Sequence, residues 1–269
     1  MREHKPSSHP HRDPRRNIKM LNVVFMSVVV LALNEVLGKK LPDFVPTCKR
    51  NDPNLDDCIL KSIEVVRPHL NNGIPKIRVP ALEPLQIPEL NINRDLPNLK
   101  VKANLKDVKV YGASSFKINR LKTNIDSLSL EMSVTIPKCY VTTEYDVDGR
   151  LLLVPLKGKG LFKGNFTNIV ADVRGTGELI SNKKGVKYVA IKSLRSKVKV
   201  GDQIVKFVNT DRNPQNDLIT QTAANFINQN RQQVLEIVTP IAEETADAII
   251  KQMGNNVLRS IPYNELLPQ

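Results

Sequence analysis

Apolar and polar residues alternate with a period of two from residue 90 to residue 209, the longest regular pattern in the chain. Over residues 99–105, the odd positions are leucine, valine or alanine and the even positions are lysine or asparagine. This period places successive side chains on opposite faces of a strand, so it predicts antiparallel strands with one apolar and one solvated face. Turn residues within the region predict three hairpins, at Asp148-Gly149, Lys184-Gly185 and Gly201-Asp202.

A first helix is predicted before the strands, beginning at Leu55. Asn54 is a favourable N-cap residue, and the next turn carries two aspartates that suit the positive end of the helix dipole. Apolar residues recur at helical spacing as far as Val66, and Gly73 marks the end of the helix.

A second helical pattern follows the strands, from Pro214 to Met253, with Asn213 as its predicted N-cap. A continuous helix of this length would extend about 60 Å and would be kinked at Pro240. Such a helix needs a long surface to pack on, which the strands supply. The pattern predicts an α+β fold in which a long C-terminal helix is wrapped by a highly curved antiparallel β-sheet. It does not alternate strands with helices, as a doubly wound nucleotide-binding fold would.

The N-terminal segment has the three parts of a secretory signal. A basic stretch is followed by an apolar run from Met20 to Leu33 and by a small-residue exit at Gly38. The run is shorter than the roughly 20 apolar residues of a membrane span. We predict a signal peptide over residues 1–38 and a single domain over residues 39–269, and hence a secreted protein. An uncleaved anchor, or a start at Met20, is the alternative.

The net charge is strongly positive. Removal of residues 1–38, which hold six basic and three acidic residues, lowers the formal net charge from +13 to +10. The lysines alternate with apolar residues along the predicted strands, which is typical of a solvated sheet face. This alternation and the export signal argue against a nucleic-acid partner. Attraction to an anionic membrane surface stays open.

The chain offers little for catalysis. Three of its four histidines lie in residues 1–38, which leaves His69. The sequence has no GxSxG elbow and no HExxH motif, so we expect no enzyme activity, no metal and no cofactor. A hydrolase of lipid esters that uses His69 is the enzymatic alternative.

Three cysteines and one sequon suggest covalent features. Cys48 and Cys58 are too far apart for a zinc or redox CxxC motif, and beside an export signal they indicate a structural disulfide. Cys139 is expected to be a buried free thiol. Asn165-Phe166-Thr167 fits the N-glycosylation pattern, and the parity of the strand directs Asn165 to solvent.

The apolar interior permits two interpretations. Its leucine, isoleucine and valine side chains either pack fully as a core or leave a tunnel, and periodicity alone does not choose between them. The candidate tunnel residues are Ile59, Ile63, Val66, Met132, Val134, Tyr145, Phe162, Phe166, Phe226 and Ile227.

Several ordered blocks resemble the insect takeout and haemolymph juvenile-hormone-binding protein family. They are the segment from Cys48 to Cys58, Gly73-Ile74-Pro75, Pro80 to Pro88, residues 108–112, residues 147–150, residues 155–160 and residues 261–266. The resemblance implies a tubular lipid-binding fold, pairing of Cys48 with Cys58, and a non-enzymatic carrier of terpenoids, fatty acyl chains or semiochemicals. Hormone carriers of the family have a second disulfide, for which Cys139 lacks a partner, so the chain looks takeout-like.

We therefore predict a secreted carrier that binds a small hydrophobic ligand in an internal apolar tunnel. It would be a monomer with no nucleic-acid partner and no stable membrane insertion, and would meet a receptor or an anionic membrane surface. The alternative is an extracellular interaction or signalling protein with a vestigial tunnel.

Overall fold

The structure is a computed structural model that describes residues 40–210 and 214–269. The predicted signal peptide over residues 1–38 and the predicted cap at Asn213 lie outside these residues. The described chain forms one antiparallel sheet with helices packed along it.

The order of elements follows the predicted change from helix to strands and back to helix. Helix α1 (Leu55–Leu70) begins after Asn54, as predicted, although the Asn54 side chain makes no capping hydrogen bond. The described strands are β1 (Leu85–Leu96), β2 (Leu99–Tyr111), β3 (Lys117–Asn124), β4 (Ser129–Leu151), β5 (Val154–Ser181), β6 (Lys187–Lys199) and β7 (Asp202–Asn209). The C-terminal helices are α2 (Pro214–Gln229), α3 (Arg231–Leu258) and α4 (Tyr263–Leu266). No helix in the described ranges is both long and apolar enough to cross a membrane.

Two long strands organise the sheet. β4 and β5 pair in one register from Ser129 opposite Thr176 to Leu151 opposite Val154. β2 and β3 pair with successive parts of β4, and β7 and β6 with successive parts of β5. β1 completes the sheet by pairing with β2. Each long strand is thus flanked by shorter strands laid end to end.

Two of the three predicted hairpins are wrong. Asp148-Gly149 lies inside β4 and not in a turn. A Cβ on Gly149 would collide with the Lys100 carbonyl oxygen, so glycine is needed here because the backbones of β4 and β2 approach closely. The turn lies at residues 152–153 instead. Gly201-Asp202 separates β6 from β7, which both pair with β5 and not with each other. Lys184-Gly185 lies in the β5–β6 turn, as predicted.

Irregular residues line up across the sheet in a row that we call the transverse break. Pro137 of β4 stands at the level of Asn168 of β5, and Asn168 at the level of Gly201. Pro137 cannot donate a backbone hydrogen bond, and Asn168 has a φ of 51°. A Cβ on Gly201 would lie 2.8 Å from the Asn168 Cβ, so glycine is required for this approach. The β2–β3 connection, residues 112–116, lies at the same level.

The inward-facing positions change parity at the transverse break. On β5, the less exposed positions are even-numbered as far as Phe166 and odd-numbered from Ile169. On β4, the apolar positions are even around Met132 and odd around Tyr145. The break therefore divides the sheet into a first half, with β1, β2 and β7, and a second half, with β3 and β6.

Helix α3 closes the free edge of β6 with polar side chains at four-residue spacing. The Asp247 carboxylate accepts hydrogen bonds from Ser196 N at 3.2 Å and from Ser196 Oγ at 2.6 Å. Glu243 Oε1 accepts one from Val198 N at 2.7 Å. The spacing places these side chains on one face of the helix, where they satisfy backbone groups of an edge strand. The members of this polar stripe are Glu243, Asp247, Lys251 and Asn255.

The prediction of one unbroken C-terminal helix is wrong, because the chain forms two helices that meet at Asn230. Asn230 leaves helical geometry, with φ −110° and ψ 40°, and its side chain donates to Phe226 O at 2.9 Å. Arg231 binds the Asp202 carboxylate at 2.8 Å and so fixes the junction at the start of β7. Asparagine competes for backbone hydrogen bonds, so the helix is interrupted here, whereas α3 continues through Pro240.

Two buried clusters lie at different levels along α3. The larger belongs to the first half and contains Leu99, Val101, Leu151, Val205, Ile227, Val234 and Ile241. The smaller contains Ile74, Ile77 and Ile261, with Val66 and Val257 packed against it. The stretch of α3 between Ile241 and Val257 spans about 24 Å at the helical rise of about 1.5 Å per residue.

Candidate ligand-binding site

Apolar residues on the inner side of the second half of the sheet stay half-buried. We call them the middle zone; they are Leu130, Met132, Val134 and Ile136 of β4 and Ile169, Ala171 and Val173 of β5. They form cross-strand pairs, Met132 with Val173 and Val134 with Ala171. None of these seven residues belongs to either buried cluster.

The apolar residues of the middle zone are only partly buried. Protein interiors are close-packed and contain few voids larger than a water molecule. In the first half, the inward-facing Leu99 and Leu151 are fully buried, and the partly buried Phe162 packs against the larger cluster. The middle zone lies on the other side of the transverse break from those residues, and none of its seven members is fully buried.

Two buried polar side chains line the inner side of the first half. Tyr145 is 6% exposed and Gln203 is 3% exposed. Within the described residues, the Tyr145 hydroxyl and Gln203 Nε2 make no hydrogen bond of normal geometry. Burial raises the pKa of Tyr145, and the nearby Thr220 side chain opposes this rise. Buried donors without partners are rare, so Gln203 Nε2 is available to a ligand oxygen or a water molecule, whereas the Tyr145 hydroxyl has the Thr220 side chain beside it.

The structure places the predicted tunnel residues in four locations. Met132 and Val134 belong to the middle zone, while Ile59 and Ile63 are half-buried on α1, which packs against β3. Val66 packs against the smaller cluster. The others lie in the first half: Ile227 is buried in the larger cluster, Phe162, Phe166 and Phe226 pack against it, and the Tyr145 ring contacts Phe207 edge-on at 5.4 Å. Their role as ligand contacts stays a prediction.

Surface clefts are a poorer match for an apolar ligand. A cleft of ≈ 510 Å³ is bordered by Tyr145 but lined mainly by polar and charged residues such as Lys106 and Glu144. Another, of ≈ 410 Å³, places Met132 among Arg120, Glu131, Asp172, Arg174, Arg195 and Lys197. Covering these charges with an apolar molecule would cost desolvation energy. The middle zone is therefore the stronger candidate site.

The segment that begins at Cys48 holds α1 to the C-terminus. Cys48 and Cys58 form a disulfide with Cα atoms 5.9 Å apart. Between them, Arg50 donates to Leu267 O at 2.8 Å and to Asn264 Oδ1 at 2.9 Å. Its guanidinium also lies over the Tyr263 ring, 4.2 Å from the centroid. The disulfide loop thus secures the C-terminal segment beside the smaller cluster.

Loss of this disulfide should weaken the fold without abolishing it. In the chain-entropy model, replacing both Cys48 and Cys58 by serine lowers the free energy of unfolding by about 2–3 kcal/mol. Because the loop holds one end of the molecule, we also expect faster release of a bound apolar probe. Denaturant titration and stopped-flow dilution measure the two effects. Unchanged off-rates in the double variant would refute a role in ligand retention.

Cys139 is a buried free thiol, and burial raises its pKa to about 11. The ordinary pKa of a cysteine thiol, without this burial, is 9.0. Only the thiolate reacts with disulfide reagents, so its fraction at pH 8 should be about a hundredfold lower than in the unfolded chain. Ellman's reagent should therefore react slowly with the native protein and stoichiometrically in guanidinium. Rapid reaction in the native state would show that Cys139 is accessible.

The other two predicted features lie on the surface. His69 is exposed, and its ring stacks on Phe44 with centroids 3.8 Å apart. Asn165 is exposed in the middle of β5, between Tyr140 and Ile204. Glycosylation of Asn165 stays a prediction.

Sequence reasoning missed the parity change and the buried Gln203. The signal for the first was present in β4, where the apolar positions are even before Pro137 and odd after it. Gln203 gave no such signal, because a glutamine one residue after a turn is ordinarily solvated. Asn168 and Gly201, the irregular residues at the level of Pro137, could be recognised only from the pairing of the strands.

The chain matches a family model described as "Haemolymph juvenile hormone binding protein (JHBP)" over residues 24–268. It is 25% identical over 231 residues to the Drosophila melanogaster "Circadian clock-controlled protein daywake", covering 83% of this chain and 87% of that protein. It is 23% identical over 226 residues to a Schistocerca gregaria protein named "Putative beta-carotene-binding protein", covering 83% of this chain and 88% of that one.

The fold also matches a solved structure. The crystal structure of Epiphyas postvittana Takeout 1 superposes with a TM-score of 0.65 at 24% sequence identity, covering 83% of this chain and 99% of that chain. The superposition confirms the predicted α+β architecture, a curled antiparallel sheet with helices at the C-terminal end of the sequence.

Proposed function

The chain belongs to the haemolymph juvenile hormone binding protein family as a takeout-like member, and from this membership we propose that it carries a small hydrophobic ligand inside the sheet. The observation that supports the proposal is the middle zone, a set of inward-facing apolar residues that are not closed over. The ligand would lie along α3 between the two buried clusters, a length of about 24 Å. A chain of a dozen or more carbons fits this length.

The ligand class follows from the chemistry of the interior. Burial of a hydrocarbon chain among apolar side chains contributes about 0.8 kcal/mol of binding free energy per methylene, before the cost of ordering the ligand is subtracted. The buried Gln203 amide, which lies beside the transverse break opposite Phe166, would orient a ligand that carries a hydroxyl, carbonyl or carboxyl oxygen. We therefore propose terpenoid, fatty acyl or semiochemical ligands. The name of the Schistocerca gregaria relative, which refers to β-carotene, supports a polyisoprenoid ligand.

We further propose an extracellular, non-enzymatic role for the carrier. It would be a secreted, monomeric glycoprotein with a glycan on Asn165, and it would have no catalytic role. Intact-mass analysis before and after peptide N-glycosidase treatment of the secreted protein tests the glycan. An unchanged mass would refute glycosylation at Asn165.

A binding assay tests the carrier function directly. Titration with a fluorescent apolar probe such as N-phenyl-1-naphthylamine, followed by displacement with fatty acids and terpenoid alcohols of increasing length, should give dissociation constants in the micromolar to nanomolar range, about −8 to −12 kcal/mol. Native mass spectrometry and lipid extraction of the protein from its own source would identify the natural ligand. If no probe binds and no lipid is extracted, the protein is an interaction module with a filled interior.

A further inference from the structure

Two neighbouring hairpin turns at one end of the sheet expose leucine side chains. The β4–β5 turn consists of Leu152 and Leu153, and the Leu153 side chain is 92% exposed. In the β1–β2 hairpin, Leu96 is 44% exposed. Leu152 N donates a hydrogen bond to Asn98 O at 2.8 Å and so joins the two turns. We call the exposed Leu96 and Leu153 and the half-buried Leu152 the leucine tip.

The leucines of the β4–β5 turn do not serve the turn itself. Two-residue hairpin turns favour asparagine, aspartate and glycine, which adopt positive φ at low cost. Leu152 has a φ of 54°, which is unfavourable for a leucine. Leu153 lies almost wholly in solvent and gains nothing by packing within the described chain. An apolar pair at this position is therefore better explained by a contact outside the molecule.

Cations outnumber carboxylates directly behind the leucine tip. The charged residues of the adjoining strand positions are Lys100, Lys102, Arg150 and Lys157 against Asp95 and Asp148. Two of these cations form ion pairs with the carboxylates, Lys100 with Asp95 at 2.9 Å and Lys157 with Asp148 at 3.8 Å, so their charges partly cancel. Arg150 donates to Leu152 O at 3.1 Å, which holds its guanidinium beside the turn. The rim of the tip is therefore net positive.

We propose that the leucine tip docks this protein on anionic lipid surfaces. Exposed leucines would enter the acyl boundary, while the long lysine and arginine side chains remain at the level of the headgroups. Anionic lipids attract such cations by about 1 kcal/mol each near the surface. A stable protein partner is a weaker explanation, because specific protein interfaces bury at least about 1,200 Å² and the tip offers three side chains. Docking is a separate property from ligand binding and needs no bound ligand.

The natural absence of tryptophan makes a direct test possible. Leu153→Trp places a single tryptophan at the tip, and Leu179→Trp places one on a leucine that is 41% exposed near the other end of β5. Vesicles of phosphatidylcholine with phosphatidylserine should shift the emission of Leu153→Trp to the blue and leave that of Leu179→Trp unchanged. Pure phosphatidylcholine vesicles, or high salt, should reduce the shift. A shift in neither variant, or an equal shift in both, would overturn the proposal.

A second pair of variants tests the natural side chain. Leu153→Asp should lower sedimentation with phosphatidylserine vesicles by about tenfold or more, since it removes the leucine that would enter the acyl boundary and adds a charge that anionic lipids repel. Leu179→Asp should sediment like the unaltered protein. Both variants should keep their affinity for N-phenyl-1-naphthylamine, so a failed docking experiment does not count against the carrier function, nor the reverse. A blue shift of Leu153→Trp that depends on protein concentration without vesicles would instead assign the tip to a contact between copies of the chain and refute docking.

Discussion

Replacement of the buried Asp247 by alanine should destabilise this protein more than removal of any other side chain of the polar stripe. The carboxylate accepts hydrogen bonds from both Ser196 N and Ser196 Oγ, and both residues are buried. Without it, two donors at the edge of β6 lose their acceptor. We expect the free energy of unfolding to fall by about 3 kcal/mol, because a buried donor left unsatisfied costs about 1–3 kcal/mol. In thermal unfolding this corresponds to a melting temperature lower by about 6–12 °C.

Glu244 provides the matched control on the same helix. Its side chain is exposed and forms a surface ion pair with Arg94 at 2.9 Å. Such pairs contribute about 0–1 kcal/mol, so Glu244→Ala should change stability little. Asp247→Asn keeps one acceptor oxygen and should fall between the two. If Asp247→Ala is no more destabilising than Glu244→Ala, the polar stripe does not hold the sheet to α3.

Replacement of Met132 by tryptophan should abolish most ligand binding while leaving the fold stable. Met132 belongs to the middle zone, and an indole at this position would occupy the space that a ligand chain needs. We expect the affinity for apolar probes to fall at least tenfold, or by about 1.4 kcal/mol or more. Overpacking of a filled core costs about 1–3 kcal/mol, whereas tryptophan entering open space should cost less than about 1 kcal/mol. Fluorescence displacement and denaturant titration measure the two quantities.

Ser133→Trp is the control for this experiment. Ser133 neighbours Met132 on β4 and points to the opposite face. It should leave both ligand affinity and stability nearly unchanged. A Met132→Trp variant that is strongly destabilised, in a protein that binds no probe, would show that the second half of the sheet is a packed core.

The sequence predicted the architecture because the fold depends on patterns that a single chain displays. Period-two alternation identified the sheet, and helical periodicity identified α1 and the C-terminal helices. The helix junction at Asn230 escaped prediction, since it depends on a side-chain bond to Phe226 O and on Arg231 reaching Asp202 of β7. Proline at position 240 was the more visible local signal, yet α3 continues through it.

The candidate site was less predictable than the fold, for a physical reason. The alternation along a strand shows which residues share a face of the sheet. At the transverse break, however, the inward-facing positions change from one parity to the other, at Pro137 in β4 and at Asn168 in β5. The parity change can be read in the sequence of β4, but the break across the sheet becomes visible only when β4, β5 and the β6–β7 junction are aligned. Likewise, Phe162 and Met132 are both apolar and inward-facing, yet one packs against a buried cluster and the other does not. Only the paired strands and the position of α3 separate a filled interior from an open one.

The central claim is that an apolar ligand lies between the two buried clusters, against the middle zone. Crystals of the protein loaded with a chain-brominated fatty acid would test this directly, through the anomalous signal of bromine. If the ligand lies against the middle zone, we expect a bromine site inside the sheet, within contact distance of Met132, Val134 or Val173. Bromine found only in surface clefts or at the leucine tip, with the interior filled by protein side chains, would contradict it.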